Sequence, residues 1–576
     1  MEDVKKIVAE LIKDSLNSSI TVEEIEQRLE SPKDKSNGDL AYPCFTLAKV
    51  LKKSPTIIAE ELKENIKVSS PITKVEAISG YLNFYVDYKD VYSSVITDIM
   101  REKEKYGFVN YGKCGNVVVD YSSPNIAKPF HLGHFRTTVI GRALCNLYEQ
   151  LGYNVVKINH LGDWGRQFGL LIEGYKRFKD EYDIKSDPLH ALSEIYVRIN
   201  KLAKEDENVM NIARENFKKL EEGDKESIKL WQYFRDVSLK EYMRIYKFMG
   251  CEFDSYNGEA FYNDKMDEVV KILDEKKVLV ESEGAKVVYL GENEPPCIIL
   301  KSNGSTIYAT RDLAAILYRA RTYDFKKAIY VTGYEQSHHF KQIFEVAKYL
   351  VGEKYASGLV HVPYGMVRLK TGKMSSRDGN VIYLQDLIDE AIKKARGVIA
   401  QKDTKGLDIE DVAKKVGLGA LVFNDLKQNK IKDVVFDLDE IIRFDGETGP
   451  YVQYTYARIK SVLDRASYDV SSAEQNVKLE LLNTECELEL IKELSKFKEV
   501  IKRAADEFEP CILARYLIGV ASFYSRFYNE CNILNSEEGL KNARLALCYA
   551  TSVVVKKGLE ILGISCPDRM LSLIHI

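Results

Sequence analysis

Residues 116–138 read NVVVDYSSPNIAKPFHLGHFRTT. Asn116 to Ser123 opens as a short β-branched run, the composition of a strand buried on both faces. A turn at Pro124-Asn125 follows, and then a helix. Val139, Ile140, Ala143, Leu144, Leu147 and Leu151 fall on one helical face, and Gly152 ends it. YNVVKINHLGDWG, residues 153–165, supplies a second strand and a glycine-rich loop. Strand, helix and strand in that order form a βαβ unit, which requires a parallel sheet. The expected fold class is therefore α/β, with a Rossmann-type parallel-sheet domain at its centre.

The HLGH segment admits three readings: a metal site, a capped helix or a phosphate site. His131 and His134 stand at i and i+3 at the start of the helix, which puts them near one face. A metal site would need further ligands, and no carboxylate stands in the segment, so no metal-ligand set is expected. A helix N-terminus offers free N–H groups and a partial positive charge, and both favour an anion. The strand-to-helix turn of an α/β sheet is where nucleotides usually dock. Gly133 has no Cβ, so a flat base could lie on its backbone. Far downstream stands RLKTGKMSSRDGNVIYL, residues 368–384. It reads as a glycine-punctuated loop between a strand and a helix. A lysine on such a loop, Lys373, can reach phosphates as charge develops on them. The two segments in one α/β frame favour the phosphate reading over a plain capped helix.

The rest of the chain fits around this core. Its 576 residues suggest about three or four domains. The net charge of −4 makes the whole no polycation, so a nucleic-acid partner would need a local basic face. The ten cysteines form no CxxC pair, which argues against a disulfide scaffold or a zinc ribbon. The N-terminus, MEDVKKIVAELIKD, reads as a charged amphipathic helix without the apolar stretch of a signal peptide. No membrane span is expected, and a cytoplasmic location is the default. Residues 1–105 read as a small α+β domain in which VEAISGYLNFYV alternates like one strand, followed by the linker-like REKEKYGFVNYGKCG. Residues 106–443 are expected to form the Rossmann-type domain, with a mostly helical, Lys- and Glu-rich insertion at about 172–295. Residues 444–576 read as an all-helical bundle.

HLGH and KMSSR resemble the HIGH and KMSKS signatures of class I aminoacyl-tRNA synthetases. With DYSSPNIAKPFHLGHFRTTVIG, NHLGDWGRQFG, YATRD, EQSHHFKQ, KMSSRDGNVIYL and ETGPYVQYTYAR, nearly the whole chain resembles arginyl-tRNA synthetases. The resemblance implies ligation of arginine to tRNA(Arg) through arginyl-adenylate, with ATP as substrate and Mg2+ accompanying it. It also implies a tRNA requirement for the first step. His131, Gly133 and His134 would hold ATP, joined by Lys373, Met374 and Ser375. Asp120, Tyr308 and Asp312 would grip the guanidinium. Ser123, Asn125, His131 and Gln336 would hold the amino and carboxylate ends of arginine. The N-terminal domain would be an additional tRNA-binding domain and the C-terminal helices an anticodon-binding domain. Tyr454, Tyr456 and Arg458 are candidate RNA contacts, although Tyr456 or Arg458 could equally pack against the catalytic core, and a monomer is expected.

Two departures stand out. Ser376 occupies the place of the second lysine of KMSKS, and Lys128 is expected to supply that charge from the other side of the site. Leu571 to Ile576, LSLIHI, extends beyond the family's usual Pro-acidic-Arg-Met ending and is expected to be foreign to the natural protein.

Overall fold

A computed structural model describes residues 2–16, 20–32, 34–113, 115–292, 294–369, 372–373, 383–400, 407–470 and 477–570. Leu571 to Ile576 lie outside the described residues. The chain divides into two compact units. The first holds residues 1–107, 458–500 and 519–557; the second holds 108–457, 501–518 and 558–576.

The first unit opens with helices α1 (Glu2–Asp14) and α2 (Val22–Glu26), strand β1 (Leu40–Pro43), and helices α3 (Phe45–Leu51) and α4 (Pro55–Asn65). Strands β2 (Ile72–Ile78) and β3 (Tyr81–Val86) complete an antiparallel sheet in the order β1-β3-β2. The alternation of VEAISGYLNFYV predicts one strand, but the structure folds it into a hairpin. Ser79 and Gly80 take φ of 52° and 82°, the two-residue left-handed turn that matches strand twist. Alternation continues across so short a turn, so the pattern hides it. Val8, Ile12, Leu47, Ile58, Leu82 and Phe84 form the core beneath.

Helix α5 (Tyr88–Glu102) and a 3-10 turn at Lys103–Lys105 occupy the start of the segment expected as linker. Tyr106 is buried there and stacks on Phe497, with ring centroids 5.9 Å apart. An apolar anchor thus docks what charge and glycine content predict to be free. In the C-terminal helices of this unit, Tyr524 and Phe527 are buried, and Arg458 lies over the Tyr528 ring at 3.7 Å.

The second unit is built on a four-stranded parallel sheet. Its strands are β4 (Asn116–Asp120), β5 (Asn154–Ile158), β9 (Phe325–Gly333) and β10 (Leu359–Tyr364), in the order β10-β9-β4-β5. Helix α6 (Leu132–Gln150) crosses from β4 to β5. Between β5 and β9 lie helices α7 (Arg166–Phe178), α8 (Pro188–Glu205), α9 (Glu207–Glu221), α10 (Lys225–Met249) and α11 (Met266–Glu275). An antiparallel sheet of β6 (Val280–Ser282), β7 (Ala285–Val288) and β8 (Cys297–Leu300) then ends the largely helical stretch. Helices α12 (Tyr308–Tyr323) and α13 (Ser337–Val351) pack against one sheet face with Val118, Ile158, Ala328 and Tyr330 in a shared core.

Asp120 pairs in register with Tyr330 of β9 on one side and Ile158 of β5 on the other. β4 connects to β5 through α6 while its other neighbour, β9, comes much later. The crevice beyond its carboxyl end is therefore a topological switch point, where open parallel sheets bind ligands. The expected fold class, an α/β parallel-sheet domain with a helical insertion, an N-terminal α+β part and C-terminal helices, is the one found. Among the described residues no helix is long and apolar enough to cross a membrane.

Candidate active site

His131 is the N-cap of α6, with extended backbone at φ −115° and ψ 174°. Its Nδ1 accepts the Gly133 N–H at 3.1 Å, and its own N–H donates to His134 Nδ1 at 3.3 Å. This is a capping box made with imidazoles in place of hydroxyl and carboxylate. Both Nδ1 atoms accept, so each neutral ring carries its proton on Nε2. The rings stack with centroids 3.8 Å apart. Burial, reinforced by Lys128, holds His131 down to about 4. Burial, then His131 and Lys128, holds His134 well below its ordinary value. The pair is therefore uncharged at neutral pH and offers two N–H donors. A Cβ on residue 133 would come within 3.0 Å of the His131 ring, so Gly133 makes room for the cap itself.

The loop before the cap departs from ordinary backbone. Ser122, Ser123 and Ala127 have φ of 71°, 45° and 58°, a region that costs non-glycine residues energy. Helix α10 holds it there. Ser238 Oγ accepts the Ala127 N–H at 3.0 Å, and Tyr242 Oη donates to the carbonyls of Asn125 and Lys128 at 2.7 and 2.6 Å. Tyr246 Oη lies 2.7 Å from Ser122 Oγ and accepts from Asn159 Nδ2 at 2.9 Å. Asn125 also lies against the GDWG loop. A Cβ at Gly162 would come within 2.0 Å of Asn125 Oδ1, so glycine is needed for this approach. Ser238, Tyr242 and Tyr246 stand four apart along α10, which in sequence reads as one more amphipathic face.

Asp120 ends β4 and Asp312 lies on α12. Asp120 Oδ2 pairs with Arg319 at 2.8 Å, and its Oδ1 accepts from Ser123 Oγ at 3.1 Å. Asp312 Oδ2 lies 2.6 Å from His339 Nε2. Tyr308 is exposed, its ring 4.9 Å from His339, and Gln336 follows β9 in a 3-10 turn, also exposed. His160 and Tyr330 each feel the charge of both Asp120 and Asp312.

A further carboxylate, unmarked by any sequence pattern, joins them. Glu259 is pushed up to about 7 by burial, opposed by Arg311 and added to by Asp312 and Asp163. Asp163 of GDWG is buried and holds the insertion: it accepts the Ala260 N–H at 2.8 Å and pairs with Arg235 at 3.3 Å.

Lys128 is half-buried, with Nζ 6.0 Å from the Tyr196 ring centre, and its charge acts on both histidines. Strand β11 (Val367–Leu369) pairs with the short strand β12 (Gly372–Lys373), so Lys373 begins the KMSSR segment in a strand. Met374 and Ser375 lie outside the described residues. The chain returns beside the histidines, because Tyr383 bridges His131 and the Leu384 N–H donates to the Phe130 carbonyl at 2.9 Å. Tyr383 and Leu384 thus stand at the α6 cap. Tyr456 is buried with its hydroxyl 3.1 Å from Asp568, so it offers no surface to RNA.

This site lies within a match to the family described as tRNA synthetases class I (R), catalytic domain, over residues 95–438. The chain is also 48% identical to an arginine–tRNA ligase of Clostridium botulinum (strain 657 / Type Ba4) over 570 residues, 99% of this chain and 100% of that one. It belongs to the arginyl-tRNA synthetase family. An arginine–tRNA ligase of Enterococcus faecalis is 45% identical over 98% of this chain and 100% of its own length. Residues 4–86 match the arginyl tRNA synthetase N terminal domain, and 452–570 match the DALR anticodon binding domain. Among solved structures, the arginyl-tRNA synthetase of Plasmodium falciparum superposes with a TM-score of 0.79 at 27% identity, covering 98% of this chain and 99% of that one. That of Thermus thermophilus, at 24% identity, shares the fold with a TM-score of 0.82 over 98% and 100% of the two chains.

Proposed function

We infer that this chain is an arginine–tRNA ligase working in two steps. A carboxylate oxygen of arginine attacks the α-phosphorus of ATP, the bond to the β-phosphate bridge breaks, and pyrophosphate leaves. A hydroxyl of the terminal ribose of tRNA(Arg) then attacks the arginyl carbonyl, and AMP leaves. The observation that supports this reading is that Asp120 ends β4 at the switch point of the sheet and a neutral histidine pair caps the helix that follows it. The chemistry needs positioning and charge stabilisation more than covalent help.

His131, Gly133 and His134 hold the nucleotide, the histidines through Nε2–H. Neutral imidazoles donate hydrogen bonds but cancel no charge, so cations must balance the triphosphate. Mg2+ enters with ATP and supplies charge neutralisation there. Lys373, with Met374 and Ser375, acts on the departing pyrophosphate. Lys128 replaces the lysine absent at Ser376; its influence on both histidines supports that role. Lys128→Ala that formed adenylate at the wild-type rate would remove it. Asp120, Tyr308 and Asp312 receive the guanidinium. Ser123, Asn125, His131 and Gln336 take the other end of arginine.

Residues 1–105 and 444–576 serve the tRNA, through its body and its anticodon, while 106–443 carry the chemistry. The enzyme works as a cytoplasmic monomer. The test is AMP formation with each of the twenty amino acids, ATP and tRNA. Arginine alone should support it at a high rate, and no arginine-dependent AMP release, with or without tRNA, would overturn the reading.

A further inference from the structure

Arg319 has no assigned part in this chemistry, yet it touches the centre of the pocket. It stands on α12 seven residues after Asp312, so the two lie near one helical face about two turns apart. Its side chain is 1% exposed. One terminal nitrogen is 2.8 Å from Asp120 Oδ2 and 3.3 Å from His160 Nδ1, and its guanidinium lies over the Tyr330 ring at 5.2 Å. An arginine only donates, so His160 Nδ1 accepts and the imidazole carries its proton on Nε2. The His160 ring is in turn stacked on Tyr262 at 5.4 Å. Arg319 is thus fixed by a carboxylate, an imidazole and an aromatic face.

Arg235 faces Asp163, Arg311 faces Glu259, His339 faces Asp312 and Arg319 faces Asp120. Arginine and lysine each carry one positive charge, so charge cannot separate them. Geometry can: guanidinium is a planar fork of donors, whereas ammonium is a compact, strongly hydrated point charge that follows raw negative potential.

We propose that Arg319 is a specificity-determining positioning residue: it turns Asp120 from a free charge into an oriented acceptor, so that the pocket selects a guanidinium by shape rather than any cation by charge. This rests on the reading of Asp120 and Asp312 as guanidinium-binding carboxylates. With Arg319 on Oδ2 and Ser123 on Oδ1, the Asp120 carboxylate plane is set and its remaining lone pairs point in fixed directions. Loss of Arg319 would leave a stronger, less directional negative field that serves lysine relatively better.

The test compares Arg319→Gln, Arg319→Lys and the double variant Asp120→Asn with Arg319→Gln, in the full chain with tRNA. Arginine- and lysine-dependent AMP release are measured for each. In Arg319→Gln the ratio of kcat/KM for arginine over lysine should fall at least about tenfold, mostly through a higher KM for arginine, with the KM for ATP within about twofold. Arg319→Lys keeps the charge without the fork and should lie between wild type and Arg319→Gln. The double variant leaves no unpaired buried charge, so it should fold even if Arg319→Gln does not, and it too should lose selectivity. An unchanged arginine-to-lysine ratio in every variant that folds, or KM values for arginine and ATP that move together, would overturn the proposal. If Asp312→Ala leaves the arginine KM unchanged, the pocket reading itself has failed. If Asp312→Ala raises it while the ratio stays fixed in the Arg319 variants, the pocket stands and the role of Arg319 falls.

Discussion

Two parts of the active site are held by different physics. The loop from Ser122 to Phe130 is kept in strained backbone by neutral hydroxyls of α10, from Ser238, Tyr242 and Tyr246. Four carboxylates of the same unit are each held by a nitrogen-bearing side chain: Asp120 by Arg319, Asp312 by His339, Glu259 by Arg311 and Asp163 by Arg235. Neutral bonds fix shape and keep doing so across a wide pH range. Ion pairs fix acceptors that a cationic ligand can read, and among them burial pushes Glu259 up to about 7. Breaking one buried pair strands a charge and costs about 3–5 kcal/mol, whereas losing one hydroxyl costs about 1–2 kcal/mol.

The largest effect that follows is at Asp312. Asp312→Ala should raise the KM for arginine by about a hundredfold or more and leave that for ATP within about threefold. Steady-state AMP formation, varying each substrate in turn, reads this directly. Equal shifts for both substrates would erase the division between a charge-reading pocket and a shape-holding loop.

Tyr242→Phe should act more mildly and more broadly. The loop carries both Asn125, assigned to arginine, and Lys128, assigned to ATP. Removing the hydroxyl that holds both carbonyls should lower kcat/KM for the two substrates alike, by about tenfold, with secondary structure unchanged by circular dichroism. A defect confined to arginine would show that the loop does not move as one piece.

The smallest effect sharpens the pH side of the contrast. Burial raises Glu259 in the folded state to about 7, from an ordinary value of 4.5. Below 4.5 both states are protonated there and the contribution is full. As pH rises from about 4.5 to 7 the unfolded chain loses this proton first, so stability falls; the contribution is gone above 7. Glu259→Gln should flatten this part of the melting-temperature profile by about one or two degrees, and Tyr242→Phe should leave its slope unchanged. A slope that survives in Glu259→Gln would place the titration elsewhere.

How much of this could be read beforehand varies by residue. β4, α6 and the histidine cap were legible because their signals are local: a β-branched run, a helical face and donors at a helix start. The hairpin at Ser79-Gly80 was misread because alternation runs straight through a two-residue turn. Asp120 and Asp312 were named by resemblance alone, since no periodicity marks a carboxylate as part of a pocket. Glu259, Arg319 and the three hydroxyls of α10 left no distinguishing mark. Their partners are far away in the chain, and a Ser or Tyr four residues from the next looks the same whether it caps a loop or meets solvent.

The amino-acid sequence by itself determined the parallel α/β frame, the helix that begins at His131 and the residue types there able to handle phosphate. All of these depend on neighbours within a few turns. Only the tertiary structure decided that the histidines are neutral, that Tyr383 returns to the His131 cap, and that each carboxylate already has a partner. Charge state and pairing depend on burial and on side chains brought together from distant segments, and neither exists before the chain has folded.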